Sequence, residues 1–303
     1  MRVAIIVPVR NGGSVWHAAA RAIRAQIPQP DRVLVIDSES SDGSDKVALQ
    51  HGFELHRIDP KDFDHGATRQ MAAEVCADCD VLVYLTQDAV LSDSGVLEVL
   101  LKAFDDPQVA VAYGRQLPRA GAGPIEAHAR LFNYPEQSAR RTMADTARLG
   151  LKAAFASNSF CAYRRVELMR VGGFPTHTIL AEDMVVVARV LQAGMAVAYS
   201  AEARVLHSHD YTAVQEFRRY FDIGVLHHDQ QWLLDRFGSP EGEGLRFVRS
   251  EWCYLWRKAP WSLPAAAVRT AAKWLGYRAG RRYTEIPARW RPRLSLQPGH
   301  WRT

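Results

Sequence analysis

The chain has 303 residues, 48% of them hydrophobic, and carries 38 Lys and Arg against 33 Asp and Glu, a formal charge of +5. This length and composition suit one large α/β domain, with or without an appendage. They exclude the class of small proteins that cannot bury a hydrophobic core of their own. No apolar run reaches about 18 residues, so no membrane-spanning helix is expected.

The first part of the chain alternates apolar runs with helical segments. The run VAIIVPV, residues 3–9, follows the N-terminus directly, and no signal-peptide pattern precedes it. Further strands are predicted at 32–36, 53–59 and 80–88. Strands that alternate with helices of about 12 residues indicate a mainly parallel sheet. Because these strands are continuously apolar, we expect helices on both faces of the sheet.

The second part of the chain has longer and more varied segments. The predicted elements are a helix at 96–104, a strand at 109–116, a polar segment with several Arg at 118–149, a strand at 155–165, a helix at 182–194, strand pieces at 195–210 and a helical segment at 214–237. The stretch GSPEGEG, residues 238–244, is the predicted boundary between a main domain, 1–238, and a helical C-terminal region, 239–303. The four cysteines show no zinc or redox pattern and fit a reducing cytoplasm.

Polar residues follow the strands of the predicted sheet. Ligands of such sheets bind at the carboxyl ends of the strands, where Asn11, Asp37 and Asp88 fall. Asp37 can accept a hydrogen bond from a base N–H or a ribose hydroxyl; the alternative is that its loop only caps the next helix. Asp88 follows a run too apolar to leave a carboxylate unpaired. A divalent metal bound to diphosphate oxygens would be a suitable partner for this carboxylate. The alternative is that Asp88 is an ordinary turn residue.

A loop that opens a helix, DFDHGATRQ at residues 62–70, is a candidate phosphate site. Gly66 would let a ligand approach the backbone, and the start of a helix suits a phosphate. Arg69 would add a charge-assisted contact. His65 lies in the same loop.

Two acidic residues and one of two nearby histidines complete the candidate site. Glu182 and Asp183 begin a helix, where the helix dipole favours carboxylates, so capping is the alternative to a catalytic role. As a general base, Asp183 would have to reach an acceptor hydroxyl. His207 and His209 are two residues apart and therefore predicted on opposite faces of a strand, so that only one points into the site. His207 is predicted as a metal or phosphate ligand, with a packed histidine as the alternative.

Together these motifs resemble the inverting family 2 glycosyltransferases of the GT-A fold. PVRNG resembles that family's opening strand and turn, and IDSESSDGS resembles its second strand and loop, where an Asp contacts the nucleobase and ribose. TQDA resembles its Asp-x-Asp metal motif, and the ED pair before a helix resembles its catalytic-base motif. The resemblance covers about residues 1–235. Thr86 replaces the first Asp of Asp-x-Asp, which leaves Asp88 alone and makes His207 a natural extra ligand.

The resemblance implies a single displacement assisted by Mg²⁺ or Mn²⁺. Asp183 is the implied catalytic base, and Asp88 and His207 are the implied metal ligands, with the metal neutralising charge on the leaving diphosphate. The residues expected to bind the nucleotide sugar are Pro8, Arg10, Asn11, Asp37, Ser38, His65, Gly66, Arg69, Gln87, Asp88, Asn158, Glu182, Arg218 and Arg219.

Three of these residues have alternative roles. Asn158, in ASNSF, is expected to orient donor or acceptor, and a turn role is the alternative. Arg218 and Arg219, in EFRRYFDIG, are expected to close over the diphosphate, and a solvated helix face is the alternative.

Two short motifs, FDHGATRQ and HSHDYT, resemble the bacterial rhamnosyltransferase branch, which builds O-antigen and other surface polysaccharides. By that resemblance the donor is dTDP-L-rhamnose and the acceptor a glycan, lipid-linked at the inner face of the cytoplasmic membrane. A nucleotide-sugar-binding scaffold with a degenerate site is the alternative, since the first Asp is missing. A nucleotidyltransferase would carry a Lys-containing loop after the first strand, and VRNGGSVWH has no Lys.

The C-terminal region differs in charge from the rest. From residue 246 onward there are 13 basic and 2 acidic residues, and six of the eight Trp lie after residue 250. Such a composition suits a helix on an anionic membrane surface. The alternatives are packing on the main domain or on a second subunit of a homo-oligomer. Nucleic acid is not an expected partner, because the rest of the chain is acidic and has no recognition motif.

Overall fold

The computed structural model describes residues 1–301. Its strands are β1 Val3–Val9, β2 Arg32–Asp37, β3 Glu54–Arg57, β4 Val81–Leu85, β5 Val90–Leu91, β6 Val109–Leu117, β7 Ala139–Arg141, β8 Phe160–Arg164 and β9 Ala196–Leu206. Its helices are α1 Gly13–Arg24, α2 Ser44–Gln50, α3 His65–Val75, α4 Val96–Leu101, α5 Pro124–Asn133, α6 Thr146–Leu149, α7 Arg165–Arg170, α8 Glu182–Gln192, α9 Ala213–Asp229, α10 Gln231–Phe237, α11 Glu241–Lys258, α12 Leu263–Arg281 and α13 Arg291–Leu294.

All the strands form one mixed sheet in the order β3-β2-β1-β4-β8-β6-β9-β5, with β7 paired to β9. Strands β3, β2, β1 and β4 are parallel neighbours, and β6 is parallel to β9. β8 runs antiparallel between β4 and β6. The mainly parallel sheet predicted from the first part of the chain is therefore confirmed, and the antiparallel strands come from the second part.

A hydrophobic core covers each face of the sheet, as the continuously apolar strands predict. Alternate residues of β1 enter different cores: Ile5 and Val7 pack with Trp16 of α1, whereas Ala4 and Ile6 belong to the cluster that contains α8. Side chains of a strand alternate between faces, so an apolar residue at every position is stable only when both faces are covered.

Two predicted segments differ from the observed elements. The strand predicted at 155–165 begins only at Phe160, and the residues before it form a loop. The helical segment predicted at 214–237 is divided at Gln230 into α9 and α10. Short polar stretches lie at both ends, SNS at 157–159 and HHDQQ at 227–231, with apolar residues on either side of each.

The C-terminal helices pack on the rest of the chain. Three glycines, Gly224 on α9 and Gly276 and Gly280 on α12, lie where the two helices touch. A Cβ at Gly276 would lie 2.2 Å from the carbonyl oxygen of Phe217 on α9. Tyr283 and Trp301 also pack against the main core. The boundary after residue 238 stays a prediction. Within residues 1–301, no helix is both long enough and apolar enough to cross a bilayer.

Replacing Gly280 by Ala is expected to lower the free energy of unfolding by about 1–3 kcal/mol. The added Cβ would lie 2.0 Å from the carbonyl oxygen of Phe221, so α12 would have to move away from α9. Gly244→Ala on α11 is the matched control, since its added Cβ would meet no described atom within 4 Å outside its chain neighbours and the backbone of its own helix. Urea unfolding measures both variants, and equal stability of the two would contradict this account of the helix contact.

Candidate functional site

The carboxyl ends of the parallel strands form the edge at which the candidate residues gather. Asp88 follows β4, and His207 directly follows β9. Because β8 is antiparallel, with Phe160 paired to Leu85 at the end of β4, the loop before β8 reaches the same edge. Asn158 therefore approaches the site from the start of a strand.

Asp88, His207 and His209 form a cluster whose ligand atoms all lie within 4.8 Å of one another. The Asp88 carboxylate is 3.4 Å from Nε2 of His207 and 3.6 Å from Nε2 of His209. The prediction that only one histidine faces the site is wrong. β9 ends at Leu206, so the alternation of a strand does not extend through residues 207–209.

A buried amide orients the His207 ring. Its Nδ1 lies 2.8 Å from Oε1 of Gln116, and the same oxygen accepts from Arg130 at 2.7 Å. Since an amide oxygen only accepts, we assign the ring hydrogen to Nδ1. Nε2 then keeps its lone pair and is buried without a hydrogen-bond partner among the described residues. Burial lowers the pKa of His207, which favours this neutral form.

Arg119 is a further neighbour of the Asp88 carboxylate. Its Nη2 lies 3.2 Å from Oδ2 of Asp88 and also donates to the Asp88 carbonyl oxygen. A cation at this distance favours the ionised carboxylate. Arg119 lies in the polar segment that the sequence left without an assigned role.

Glu182 and Asp183 are held by the loop before β8. The backbone N–H of Asn158 donates to Asp183 at 2.9 Å, and its side-chain Nδ2 donates to Glu182 at 2.8 Å. Tyr163 donates to Oδ1 of Asn158 at 2.8 Å and so fixes the amide. Arg69 pairs with Glu182 at 3.0 Å. Glu182 is therefore neutralised by a buried cation, whereas Asp183 forms no ion pair within the described chain.

This difference appears in the protonation of Asp183. Burial and, after it, the negative charge of Glu182 raise the pKa of Asp183 from 3.8 to about 7. The backbone N–H groups of Asn158 and Met184 oppose the shift. Burial alone would also raise the pKa of Glu182, but the charges of Arg69 and His65 lower it below its ordinary value. Two adjacent carboxyls thus differ in proton affinity, and one of them titrates in the range that suits a general base.

One cavity of about 600 Å³ joins these groups, a volume within the range of small-molecule sites. The predicted residues on its wall are His65, Arg69, Asn158, Glu182, Asp183, His207 and Arg219. His209 also lines the cavity, and through the two histidines the cavity adjoins Asp88. Arg218 and Asp37 are not among its lining residues. The neighbouring arginines thus differ, because adjacent positions of a helix point about 100° apart.

The other predicted residues form a second group where β1, β2 and β4 end. Oδ1 of Asn11 accepts from the Ser41 backbone N–H at 2.8 Å, and Gln87 accepts from the Arg10 backbone N–H at 2.7 Å. These bonds tie the three loops together. Asp37 is buried: its Oδ2 accepts from the Ser40 N–H at 3.0 Å, while its Oδ1 has no partner within the described residues. Pro8 in β1 and Ser38 directly after β2 lie at the ends of these two neighbouring strands.

The loop at residues 62–70 differs from its predicted role. Asp64 caps α3 by accepting from the Ala67 N–H at 2.7 Å, so the start of the helix already has an acidic partner. A Cβ at Gly66 would lie 1.7 Å from the carbonyl oxygen of Pro175. The glycine is therefore needed for a chain contact rather than for the approach of a ligand. Arg69 is committed to Glu182 and to the His65 carbonyl oxygen, at 2.9 Å.

Sequence reasoning missed Gln116, Arg119, Arg130 and His209. The sequence did contain a sign of Gln116, because Arg115 and Gln116 are two polar residues at the end of an otherwise apolar strand. No local pattern distinguishes Arg119 or Arg130 from the other arginines of the segment, since their partners lie 14 to 31 residues away.

Comparison with known proteins identifies the family. The model of glycosyl transferase family 2 matches residues 4–172. The O-antigen chain rhamnosyltransferase RfbN of Salmonella typhimurium is 45% identical over 99% of this chain and 96% of its own length. The O-antigen chain rhamnosyltransferase WbaN of Salmonella anatum is 43% identical over 98% of this chain and 95% of its own.

A solved structure supports the same fold. The mannosyltransferase PcManGT of Pyrobaculum calidifontis, in complex with GDP-Man and Mn²⁺, superposes with a TM-score of 0.57. It is 19% identical, and the match covers 99% of this chain and 84% of that one. The predicted GT-A fold is therefore confirmed. With its family match across more than half of its length and relatives this similar over nearly all of it, the chain belongs to glycosyl transferase family 2 and is a rhamnosyltransferase-like glycosyltransferase.

Proposed function

We propose that this enzyme transfers L-rhamnose from dTDP-L-rhamnose to a hydroxyl group of an O-antigen glycan, with inversion at the sugar carbon. The similarity to RfbN and WbaN over nearly the whole of all three chains supports the sugar and the type of acceptor. The observation that carries the reaction is the shared cavity, which contains Asp183 together with the two histidines of the Asp88 cluster.

Asp183 is the proposed general base. It accepts the proton of the acceptor hydroxyl as that oxygen bonds to the anomeric carbon. The bond from this carbon to the diphosphate oxygen breaks in the same step, and dTDP leaves with the electron pair. Asn158 and Met184 hold one carboxylate oxygen each at 2.9 and 2.8 Å, which fixes the direction of the carboxylate. Burial and the negative charge of Glu182 raise the pKa of Asp183, and Arg69, which pairs with Glu182, opposes the shift.

Asp88, His207 and His209 are the proposed ligands of a divalent cation. The buried Nε2 of His207 has no hydrogen-bond partner within residues 1–301, and its lone pair faces the carboxylate, so the donor set fits a cation. Mg²⁺ takes oxygen ligands almost exclusively, so two imidazoles with one carboxylate favour Mn²⁺. When bound, the cation would neutralise charge on the departing diphosphate. Arg219, on the cavity wall, would add a second positive charge there.

The nucleotide half of the donor is proposed to lie against the ends of β1 and β2. Oδ1 of Asp37 is an acceptor that no group of the described chain satisfies, which suits the N–H of a pyrimidine ring. Asn11 and Gln87 hold the loops around it. Their role is to position these loops, because both side chains already bond to backbone atoms.

The test is a donor assay on the purified chain with Mn²⁺. We expect dTDP-L-rhamnose to raise the melting temperature more than UDP- or GDP-sugars do, since a ligand that binds only the folded state stabilises it by mass action. We also expect dTDP release when a lipid-linked O-antigen oligosaccharide is added. A scaffold would be stabilised by the donor without releasing dTDP. Equal stabilisation by all donors would contradict the proposed sugar nucleotide.

A further inference from the structure

The end of α11 and its connection to α12 expose two tryptophans beside two cations. Trp256 is 73% exposed and Trp261 is 76% exposed. Arg257 and Lys258 lie between them, and both are exposed. Trp252, 45% exposed, precedes Trp256 by four residues and therefore lies on the same face of α11. We call these five residues the hairpin tip.

The other side of the same helices is packed. Leu255 of α11, Ala259 directly after it and Ala266 of α12 are buried with Ile125 of α5 in a small separate core. The tip tryptophans therefore do not belong to the core that fixes the hairpin. Each large exposed indole carries apolar surface whose removal from water is favourable.

The charges around the tip are not neutralised. Between residues 244 and 284 the only acidic residue is Glu251, which is 1% exposed. Arg249, Arg257 and Lys258 form no ion pair with any residue in the described part of the chain. An exposed surface that combines indoles with unpaired cations has the chemistry of a bilayer interface, where tryptophan occupies the headgroup region and cations attract anionic lipids.

We infer that the hairpin tip docks on the surface of an anionic lipid bilayer. A second copy of the chain fits this surface less well, because a twofold contact would place the two cationic tips against each other. The bilayer supplies both an apolar layer for the indoles and negative charge for Arg257 and Lys258. This partner goes beyond the sugar transfer proposed above and does not depend on it.

The location of the tip relates membrane contact to the cavity. The first turn of α11 contributes Glu243 and Gly244 to the cavity wall, and the same helix ends at the tip. One rigid helix of 18 residues thus links the two places, a length of about 27 Å. A bilayer bound at the tip would hold the cavity at a defined height above the lipid surface.

Vesicle flotation of the full chain tests the inference without donor or acceptor. We expect binding to vesicles of phosphatidylglycerol and phosphatidylethanolamine, and little binding to phosphatidylcholine alone. Trp256→Ala with Trp261→Ala should lower the partition coefficient about tenfold or more. Arg257→Glu with Lys258→Glu should do the same on the anionic vesicles only, and added salt should weaken wild-type binding.

A control variant and an independent measurement keep the test specific. Leu49→Ala with Val166→Ala removes hydrophobic side chains that are 56% and 63% exposed outside the tip, and should leave binding unchanged. Cys253, beside Trp252, is exposed whereas the other three cysteines are buried. A polarity-sensitive thiol dye on Cys253 should therefore shift to shorter wavelength on anionic vesicles.

Two results would overturn the inference. One is wild-type flotation that matches the Trp256→Ala, Trp261→Ala variant, including the case in which neither binds. The other is self-association that disappears in that variant while vesicle binding is absent, which would assign the tip to a second copy of the chain.

Discussion

Replacing Asp183 by Asn is expected to reduce kcat by about 10²–10⁴-fold, the usual contribution of a general base. The amide has the same shape as the carboxyl, so the cavity should keep its form, although its single oxygen can accept from only one of the Asn158 and Met184 N–H groups. The affinity for dTDP-L-rhamnose should therefore change little, and isothermal titration with Mn²⁺ present measures it separately from turnover. Near-normal turnover would remove Asp183 from the role of base.

The same variant has a second, independent result in its stability. The pKa of Asp183 is raised from 3.8 to about 7, so the folded state binds this proton more tightly than the unfolded state does. The resulting stability is complete below about pH 4 and is lost as the pH rises through about 7. Asn cannot ionise. The stability of the variant relative to the wild type, measured by thermal unfolding, should therefore rise between about pH 4 and pH 8.

The pH dependence of transfer should follow the same group. Turnover by the wild-type chain is expected to rise with pH through about 7, as Asp183 loses its proton and becomes able to accept one. Asp235→Asn, which changes an exposed carboxyl outside the cavity, is the matched control and should keep both the rate and its pH profile. A rate independent of pH between 5 and 9 would contradict the assignment.

Replacing Asp88 by Ala is expected to abolish detectable Mn²⁺ binding and to reduce transfer by about 10²-fold or more, because the cluster would lose its only carboxylate. His207→Ala should weaken the metal strongly as well. Gln116→Leu removes the acceptor that holds the His207 ring, and loss of such an outer contact typically costs about 10–100-fold in metal affinity. Titration of Mn²⁺ by electron paramagnetic resonance, with dTDP present, measures these affinities directly.

The metal experiment has a matched histidine control. His56→Ala removes an exposed histidine on the edge strand β3, outside the cluster, and should leave Mn²⁺ binding unchanged. Mn²⁺ affinity that is the same in Asp88→Ala as in the wild type would show that the cation, if used, is held elsewhere.

The ends of the parallel strands were predictable from the sequence, and with them the positions of Asp37 and Asp88. An apolar run stops where the chain leaves the sheet, so the first polar residues after the run mark the edge. The ion-pair partner of Arg69 was not predictable. Its partner Glu182 is 113 residues away, and only the packing of α3 beside the start of α8 shows that its charge is used within the protein.

The histidine pair shows a similar limit. A period of two is correct for a strand, but β9 ends one residue before His207. Its last residue cannot be located from the apolar pattern, because Val205 and Leu206 continue that pattern to the end. Once the chain leaves the sheet, both rings can approach the same carboxylate.

Asp183 was predicted as the base through the resemblance to family 2 glycosyltransferases, whereas the sequence by itself determined the α/β class and the edge of the sheet at which Asp88 lies. These depend on local hydrophobic periodicity and on the residues that end each strand. Only the tertiary structure decided which acid is neutralised and which keeps a raised pKa, that His209 joins His207 at Asp88, and that Gly66 serves a chain contact. Those properties arise from distances between residues far apart in the chain, since burial and charge act through space and not along the sequence.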